Sequence, residues 1–266
     1  MLNEQSSLIV AIDHVPLGLS AGLDDIDRRV GAILAGHPDG VVANYGLLKR
    51  MQQAFDLQST TPIARLDGNR TFLAGEWTAS ADWELFFSAE ASARIGAGAV
   101  IVNLLLGGPA ELASLKVVAR AAVACHASGL PLVVSAICVQ RPGRKPTGAI
   151  IRRLSGVVHK REDPAVLSLR GASFAARMAF EMGADYVVGY DLFAPDALGE
   201  IRRWCPVPLL AQGAPSGDRE KLHAWAQECL TNGANGVIVG RAIWQSEDPK
   251  ETVDGLRGVF DHFKAQ

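Results

Sequence analysis

Residues 207–241 read VPLLAQGAPSGDREKLHAWAQECLTNGANGVIVGR and contain one complete copy of the pattern that decides the fold. The apolar run Val207–Ala211 predicts a buried strand, and apolar residues at helical spacing predict a helix over Arg219–Thr231. A glycine ends that helix, and the apolar run Gly236–Val239 predicts the next strand. A strand, a helix and a second strand in this order are typical of a parallel α/β sheet.

The same alternation recurs along the chain, and eight such units can be counted. The predicted strands are Leu8–Asp13, Gly40–Asn44, Pro62–Leu66, Ala99–Leu105, Pro131–Ile137, Asp185–Tyr190, Val207–Ala211 and Gly236–Val239. The predicted helices include Leu23–Leu34, Ala110–His126, Leu167–Met182, Arg219–Thr231 and Asp248–Phe263. Eight units in 266 residues, without a linker rich in Pro, Gly or Ser, fit a closed barrel better than an open doubly wound sheet. We therefore expect an α/β fold, with residues 1–266 forming a single (β/α)8 TIM-barrel domain.

The composition excludes several classes of protein. The 26 Lys and Arg residues nearly balance 28 Asp and Glu residues, and no basic stripe is present, which argues against a nucleic-acid partner. No run approaches the roughly 18 apolar residues of a membrane span, and the first residues do not resemble a signal peptide. The four cysteines are widely spaced without a CxxC pair, which favours reduced thiols over a disulfide scaffold or a zinc site. We expect a cytoplasmic protein that does not contact a membrane.

The ends of the predicted strands should carry the active site, because TIM-barrel enzymes build it at the C-terminal face. Asp13 and His14 end the first strand, where an adjacent carboxylate and imidazole can transfer protons near neutral pH. The alternative is structural, with Asp13 accepting loop hydrogen bonds and His14 filling the rim. Tyr190 and Tyr45 are candidate general acids, although a rim tyrosine more often packs against a helix. Other polar residues or thiols near strand ends are Asn44, Arg65, Asp67, Asn103, Cys138 and Asp191.

A candidate phosphate site follows the last two predicted strands. Gly213 and Ala214 follow the seventh strand, and Gly240 and Arg241 follow the eighth. Backbone N–H groups at such glycines, a helix N-terminus and an arginine are the usual phosphate ligands of these barrels. The alternative is that the glycines only form turns and that Arg241 is a surface residue.

The longest irregular stretch, Gln140–Asp163, is long for a βα connection and is therefore predicted to be a functional loop. Outside the first strand, the histidines lack the spacing of metal ligands, so no metal is expected. The sequence also lacks the GxGxxG, GxSxG and P-loop motifs, so we expect no cofactor.

Four stretches resemble, in order, the archaeal-type class I fructose-bisphosphate aldolase family, often called the DhnA family. They are IDHVPLGLSAGLDDI at 12–26, EMGADYVVGY at 181–190, CPVPLLAQGAPSGDRE at 205–220 and GANGVIVGRAIWQSEDP at 233–249. The similarity is greatest to a bacterial branch that includes a thiolase for a phosphorylated diketone. The resemblance implies a TIM barrel and a phosphorylated sugar or keto substrate. It also implies a homo-oligomer, with Asp13 and His14 at the reacting carbon and phosphate at Gly213 and Gly240–Arg241.

The sequence departs from this family at its defining residue. The family carries a lysine at the end of the sixth strand, in a context such as GAD-I-V-K, and its amine forms an imine with the substrate ketone. The stretch GADYVVGY places Val188 there, and a valine cannot form an imine. Two alternatives remain open. Lys145 in the long loop can supply a displaced amine, ahead of Lys49 and Lys160, or Asp13 and His14 can catalyse without a covalent intermediate.

Two functions follow from these observations. The first is an aldolase-like lyase, or a related transferase or isomerase, that makes or breaks a carbon–carbon bond in a phosphorylated compound. The second is a diverged, non-catalytic family member that binds a phosphorylated metabolite. Metal-dependent aldolase chemistry would need more ligands at strand ends than the sequence offers. For an oligomer, Phe86, Phe87 and Trp225 are candidate interface residues, but a buried position is expected for each.

Overall fold

The computed structural model describes residues 6–19, 21–75, 79–139, 164–190 and 192–265. These residues form a closed barrel of eight parallel strands in sequential order, which confirms the predicted (β/α)8 TIM barrel. The strands are β1 (Ser7–Ala11), β2 (Gly40–Asn44), β3 (Thr61–Arg65), β4 (Ala99–Leu106), β5 (Leu132–Cys138), β6 (Tyr186–Tyr190), β7 (Leu209–Gln212) and β8 (Gly236–Val239).

Helices surround the barrel in the usual alternation. They are α1 (Ile26–Leu34), α2 (Tyr45–Gln58), α3 (Ala89–Arg94), α4 (Glu111–Ser128), α5 (Pro164–Glu181), α6 (Leu198–Arg202), α7 (Arg219–Thr231), α8 (Arg241–Trp244) and α9 (Pro249–Lys264). The helix predicted from Leu23 begins at Ile26, because the Asp25 side chain caps it by accepting a hydrogen bond from the Arg28 N–H. The five predicted helices do not include α2 or the short helices α3, α6 and α8. Within the described residues, none of the helices combines the length and apolarity that crossing a membrane requires.

The predicted strand boundaries differ from the observed ones by one or two residues at most. The largest differences are in β1, which ends at Ala11 so that Asp13 lies just beyond it, and in β7, which begins at Leu209. The later start of β7 follows from Pro208, which has no N–H to donate to the neighbouring strand. Gly236 closes the barrel next to β1, where an added Cβ would lie 2.2 Å from the Ser7 carbonyl oxygen.

The core has two parts that meet at the sheet. One lies between the strands and the helices, and the other fills the barrel interior. The interior cluster consists of Ile9, Ala11, Val42, Ile63, Ala99, Ile101, Val133, Tyr186, Val188, Leu210 and Ile238. The barrel is therefore packed with apolar side chains along most of its axis, as TIM barrels are. The polar residues described below lie at its C-terminal end.

A short antiparallel hairpin lies beside that end of the barrel. It pairs Asp67–Gly68, directly after β3, with Glu84–Leu85. The next two residues correct a prediction: Phe86 and Phe87 are 55% and 38% exposed instead of buried. Their position after a two-residue strand leaves them outside the core, where Phe87 stacks on Tyr45 with ring centroids 4.7 Å apart. Trp225 is partly buried against the core.

Candidate active site

A ring of mostly polar residues closes the C-terminal end of the barrel interior. On each strand it lies two residues beyond an inward-facing apolar residue, and side chains two apart on a strand face the same side. The eight positions are Asp13, Asn44, Arg65, Asn103, Ser135, Tyr190, Gln212 and Gly240. Six of them line a single pocket, together with His14, Asp67 and Trp83. The structure thus brings the predicted residues Asp13, His14 and Tyr190 into one site.

Arg65 is the centre of a hydrogen-bond network in this pocket. Its Nε donates to Asp13 Oδ2 at 2.8 Å, and its Nη1 donates to Asp67 Oδ1 at 3.2 Å and to Asn103 Oδ1 at 2.9 Å. The second oxygen of Asp67 accepts hydrogen bonds from the Trp83 indole at 2.7 Å and from the Asn103 backbone N–H at 2.6 Å. The network therefore connects β1, β3, β4 and the hairpin.

Burial makes these charges depend on each other. The side chains of Arg65, Asp13 and Asp67 are 15%, 12% and 0% exposed. Burial lowers the pKa of the Arg65 guanidinium, but Asp13 and Asp67 outweigh it and the net pKa is raised, so Arg65 stays charged. Burial raises the pKa of Asp67, against the opposing effects of Arg65 and two N–H donors. Two carboxylates therefore share one buried cation.

Within the described part of the chain, packing contacts rather than hydrogen bonds hold the His14 ring. The ring lies edge-on to Trp244, with centroids 5.4 Å apart, and the Trp244 indole is fixed by donating to the Ala11 carbonyl oxygen at 3.0 Å. Gly240 gives the ring its space, because an added Cβ would lie 3.0 Å from His14 Cε1. Nδ1 of His14 is buried and has no hydrogen-bond partner among the described residues.

The environment of His14 favours the neutral imidazole. Burial is the largest influence and lowers the pKa of His14 below its usual 6.5; Asp13 raises it, while Arg241 and Arg65 lower it further. At neutral pH the ring is therefore a base that can accept a proton. Nδ1 is shielded from solvent, so exchange with a bound molecule must occur through Nε2.

The predicted phosphate residues follow β7 and β8 at the same end of the barrel. Gly213 and Ala214 come directly after the pocket residue Gln212, and Gly240 precedes α8, which begins at Arg241. Arg241 is exposed and close enough to influence His14. The pocket lining includes none of these four residues themselves.

Several predicted features fall outside this site. Lys145, Asp191 and the predicted loop Gln140–Asp163 lie outside the described residues. The four cysteines are free, and Cys138 is exposed at the end of β5. In the described part of the chain, no group of three or more His, Cys, Asp or Glu residues is arranged to hold a metal.

The sequence analysis placed Arg65, Asp67 and Asn103 near strand ends without giving them a role, and it did not select Ser135, Gln212 or Trp83. A usable signal exists for four of them. Arg65, Asn103, Ser135 and Gln212 each follow an inward-facing apolar residue by two positions, as Tyr190 does. Asp67 and Trp83 carry no such signal, because their roles depend on the hairpin.

Replacing Trp83 by Phe tests how much the Trp83 indole contributes to the network around Arg65 and Asp67. The change removes an N–H donor from the buried Asp67 carboxylate and is expected to lower the free energy of unfolding by about 1.5–3 kcal/mol. Urea denaturation measures the effect. Trp204→Phe is the matched control, since Trp204 is 53% exposed and should change stability by less than about 0.5 kcal/mol. Equal effects of the two changes would contradict this role of Trp83.

Comparison with known proteins identifies the family. A family model described as DeoC/LacD family aldolase matches residues 7–246. A 2-amino-4,5-dihydroxy-6-oxo-7-(phosphonooxy)heptanoate synthase from Streptomyces griseus is 29% identical over 254 residues, which cover 95% of this chain and 84% of that protein. A 3-hydroxy-5-phosphonooxypentane-2,4-dione thiolase from Escherichia coli is 26% identical over 260 residues, covering 97% and 78%.

Solved structures show the same fold. An archaeal fructose 1,6-bisphosphate aldolase superposes with a TM-score of 0.73 at 23% identity, covering 97% of this chain and 95% of that one. An archaeal fructose-1,6-bisphosphate aldolase with its catalytic lysine bound to a carbinolamine intermediate gives 0.74 at 22% identity, with the same coverage. The family match and the closed barrel agree with the resemblance found in the sequence: the chain belongs to the DeoC/LacD family of aldolases.

Proposed function

We propose that this protein makes or breaks a carbon–carbon bond in a small phosphorylated sugar or keto compound, without an imine on β6. The observation that carries the proposal is the position of His14, next to Asp13 in a polar pocket above an apolar barrel interior, where burial lowers the pKa of its ring. Relatives named for phosphorylated substrates support the choice of substrate class. Membership of an aldolase family supports the reaction type.

The interior of the barrel explains why we exclude an imine at β6. Val188 is fully buried in the apolar interior cluster, where it pairs with Ser135 on β5 and Leu210 on β7. A valine offers no nucleophilic atom. The lysines among the described residues are all exposed on outer helices: Lys49, Lys116, Lys221, Lys250 and Lys264. Within that part of the chain, no amine faces the pocket.

The pocket residues can carry out the proton transfers of an aldol cleavage. In our proposal, His14 accepts the proton of the substrate hydroxyl next to the breaking bond, and the hydroxyl carbon becomes a carbonyl. The electron pair of the breaking bond moves onto the adjacent keto group as an enolate. The protonated His14 then returns its proton to the enolate carbon, and Tyr190, which lines the same pocket, donates a hydrogen bond to the enolate oxygen. The phosphate would be bound by Gly213, Ala214 and the Gly240–Arg241 segment.

A non-catalytic role is the second candidate. It is favoured by the same replacement of a reactive lysine by Val188, together with the engagement of Arg65 by Asp13, Asp67 and Asn103. In that case the pocket binds a phosphorylated metabolite without converting it.

We further propose that the protein works in the cytoplasm as a homo-oligomer of single-domain chains. The free cysteines and the exposed Phe86 support that proposal, and sedimentation velocity would test the assembly.

Deuterium exchange tests the proposed chemistry without knowledge of the second substrate. Dihydroxyacetone phosphate and related phosphorylated ketones are incubated with the protein in D2O, and loss of the α-proton signal is followed by ¹H NMR. We expect exchange of at least one of them, because His14 can remove the α-proton of the bound ketone, which is the reverse of its protonation of the enolate carbon. Unphosphorylated dihydroxyacetone is the matched control and should exchange more slowly.

Sodium borohydride distinguishes the mechanisms in the same samples. We expect no stable lysine adduct by intact-mass spectrometry, under conditions where an authentic class I fructose-bisphosphate aldolase gives one. An adduct on Lys145 or another lysine would overturn the imine-free mechanism. Saturable binding of the phosphorylated ketones without any exchange would instead establish the non-catalytic alternative.

A further inference from the structure

Asp13 and His14 are neighbours in the sequence and can form a carboxylate–imidazolium pair, but their side chains are not hydrogen-bonded to each other. Asp13 Oδ1 lies 3.8 Å from His14 Nδ1, too far for a hydrogen bond. Nδ1 is nevertheless buried and has no other partner among the described residues. An unpaired buried nitrogen costs free energy, so another interaction must hold the carboxylate away from it.

Arg65 is that interaction. Its Nε donates a hydrogen bond to Asp13 Oδ2 at 2.8 Å, which is the usual length for a hydrogen bond between charged groups. Arg65 cannot follow Asp13 toward His14, because its Nη1 is fixed by Asp67 and Asn103. Asp67 is itself held by the Trp83 indole, so the orientation of Asp13 is set from the opposite side of the pocket.

We infer that Arg65 is a positioning residue, which holds the Asp13 carboxylate away from His14 Nδ1 and so keeps His14 neutral as the base of the proposed reaction. The inference rests on the proposed function for its purpose. The effect of Arg65 on the protonation state of His14 can be measured in the free protein, without any substrate.

The charges around His14 agree with this role. Among the described residues, three charged groups influence its ring: Asp13 from the preceding position, Arg65 from β3 and Arg241 from the start of α8. Asp13 raises the pKa of His14, and both arginines lower it. Without Arg65, Asp13 could rotate onto Nδ1, and a direct carboxylate–imidazolium pair would favour the protonated ring. Arg65 therefore acts twice, by its own charge and by the direction in which it holds Asp13.

The role also restricts what Arg65 does for a ligand. A guanidinium engaged by two carboxylates and an amide oxygen is a weak anchor for a substrate phosphate. Arg241 is exposed at the same end of the barrel and is the better candidate for that contact. Loss of Arg65 should therefore change proton transfer more than it changes the affinity for inorganic phosphate.

The test is an NMR titration of the His14 ring in the substrate-free protein, with the signal assigned from a His14→Gln sample. In Arg65→Gln we expect the pKa of His14 to rise by about one unit. In the Asp13→Asn background the same Arg65→Gln change should raise it by less than half as much, because no carboxylate is left to reposition. Arg50→Gln removes an exposed arginine paired with Asp27 and is the control, with no change expected at His14.

Two results would overturn the inference. One is an unchanged pKa of His14 in folded Arg65→Gln. The other is an equal rise in the pKa of His14 with and without the Asp13 carboxylate. Arg65 would then act on His14 only through its own charge and not by positioning Asp13. If Arg65→Gln does not fold, Arg65→Lys replaces it, with a smaller rise expected and an unchanged value again counting against the inference. Absence of catalytic exchange in the native protein would refute the proposed function alone.

Discussion

Replacing His14 by Gln is expected to lower the rate of α-proton exchange about 10²- to 10⁴-fold, the usual contribution of a positioned general base. Glutamine fills similar space beside Trp244 and Gly240 but cannot accept and release a proton near neutral pH. Affinity for the phosphorylated ketone should change little, because the predicted phosphate contacts come from the segments after β7 and β8. The exchange rate and the dissociation constant are measured on the same samples.

His126→Gln is the matched control for that experiment. His126 is exposed near the end of α4, on the outside of the barrel, and its replacement should leave the exchange rate unchanged. Native exchange rates in His14→Gln would reject the imidazole as the base. An equal loss of exchange and of ligand binding would show that His14 supports the pocket rather than the proton transfer.

The pH dependence of exchange follows from the same assignment. The base form of His14 is the active one, so the rate should rise with pH through the pKa of His14 and level off above it. Because burial lowers that pKa, the rise should be centred below 6.5, the ordinary value for histidine. A rise centred above 6.5 would indicate another base or a His14 that is paired with Asp13.

Much of the architecture was predictable because it depends on local pattern. Continuous apolar runs such as Gly236–Val239 could be read directly as buried parallel strands. Their order along the chain then placed Asp13, His14 and Tyr190 at one end of the barrel, and the pocket contains all three. Here the sequence is sufficient because the barrel closes its strands in sequential order.

The Arg65 network was less predictable because it depends on contacts between distant segments. Arg65 and Asp67 lie only two residues apart, but their partners are distant in the sequence. Trp83 lies 16 positions from Asp67, and Asn103 lies 38 positions from Arg65. No spacing rule connects a strand end with the far side of a hairpin. The exposure of Phe86 has the same origin, since apolar character alone predicts burial and only the hairpin places the residue outside.

Replacing Arg65 by Met is expected to lower the free energy of unfolding at pH 7.5 by about 3–5 kcal/mol, the usual result of removing one partner from a buried ion pair. The methionine has similar length but leaves Asp13 and the fully buried Asp67 without their shared cation. Chemical denaturation measures the loss. Arg70→Met is the matched control: Arg70 pairs with Asp82, but both side chains are 61% exposed, so less than about 1 kcal/mol is expected.

The dependence of this loss on pH separates charge from packing. Arg65 lowers the pKa of Asp67, so in Arg65→Met the pKa of Asp67 should rise further above its unfolded value. A raised pKa means that the folded state binds the proton more tightly than the unfolded state. The destabilisation should therefore be largest above the raised pKa and become smaller as the pH falls through it. A loss that does not decrease as the pH falls would show that Arg65 stabilises the barrel by packing rather than by its charge next to Asp67.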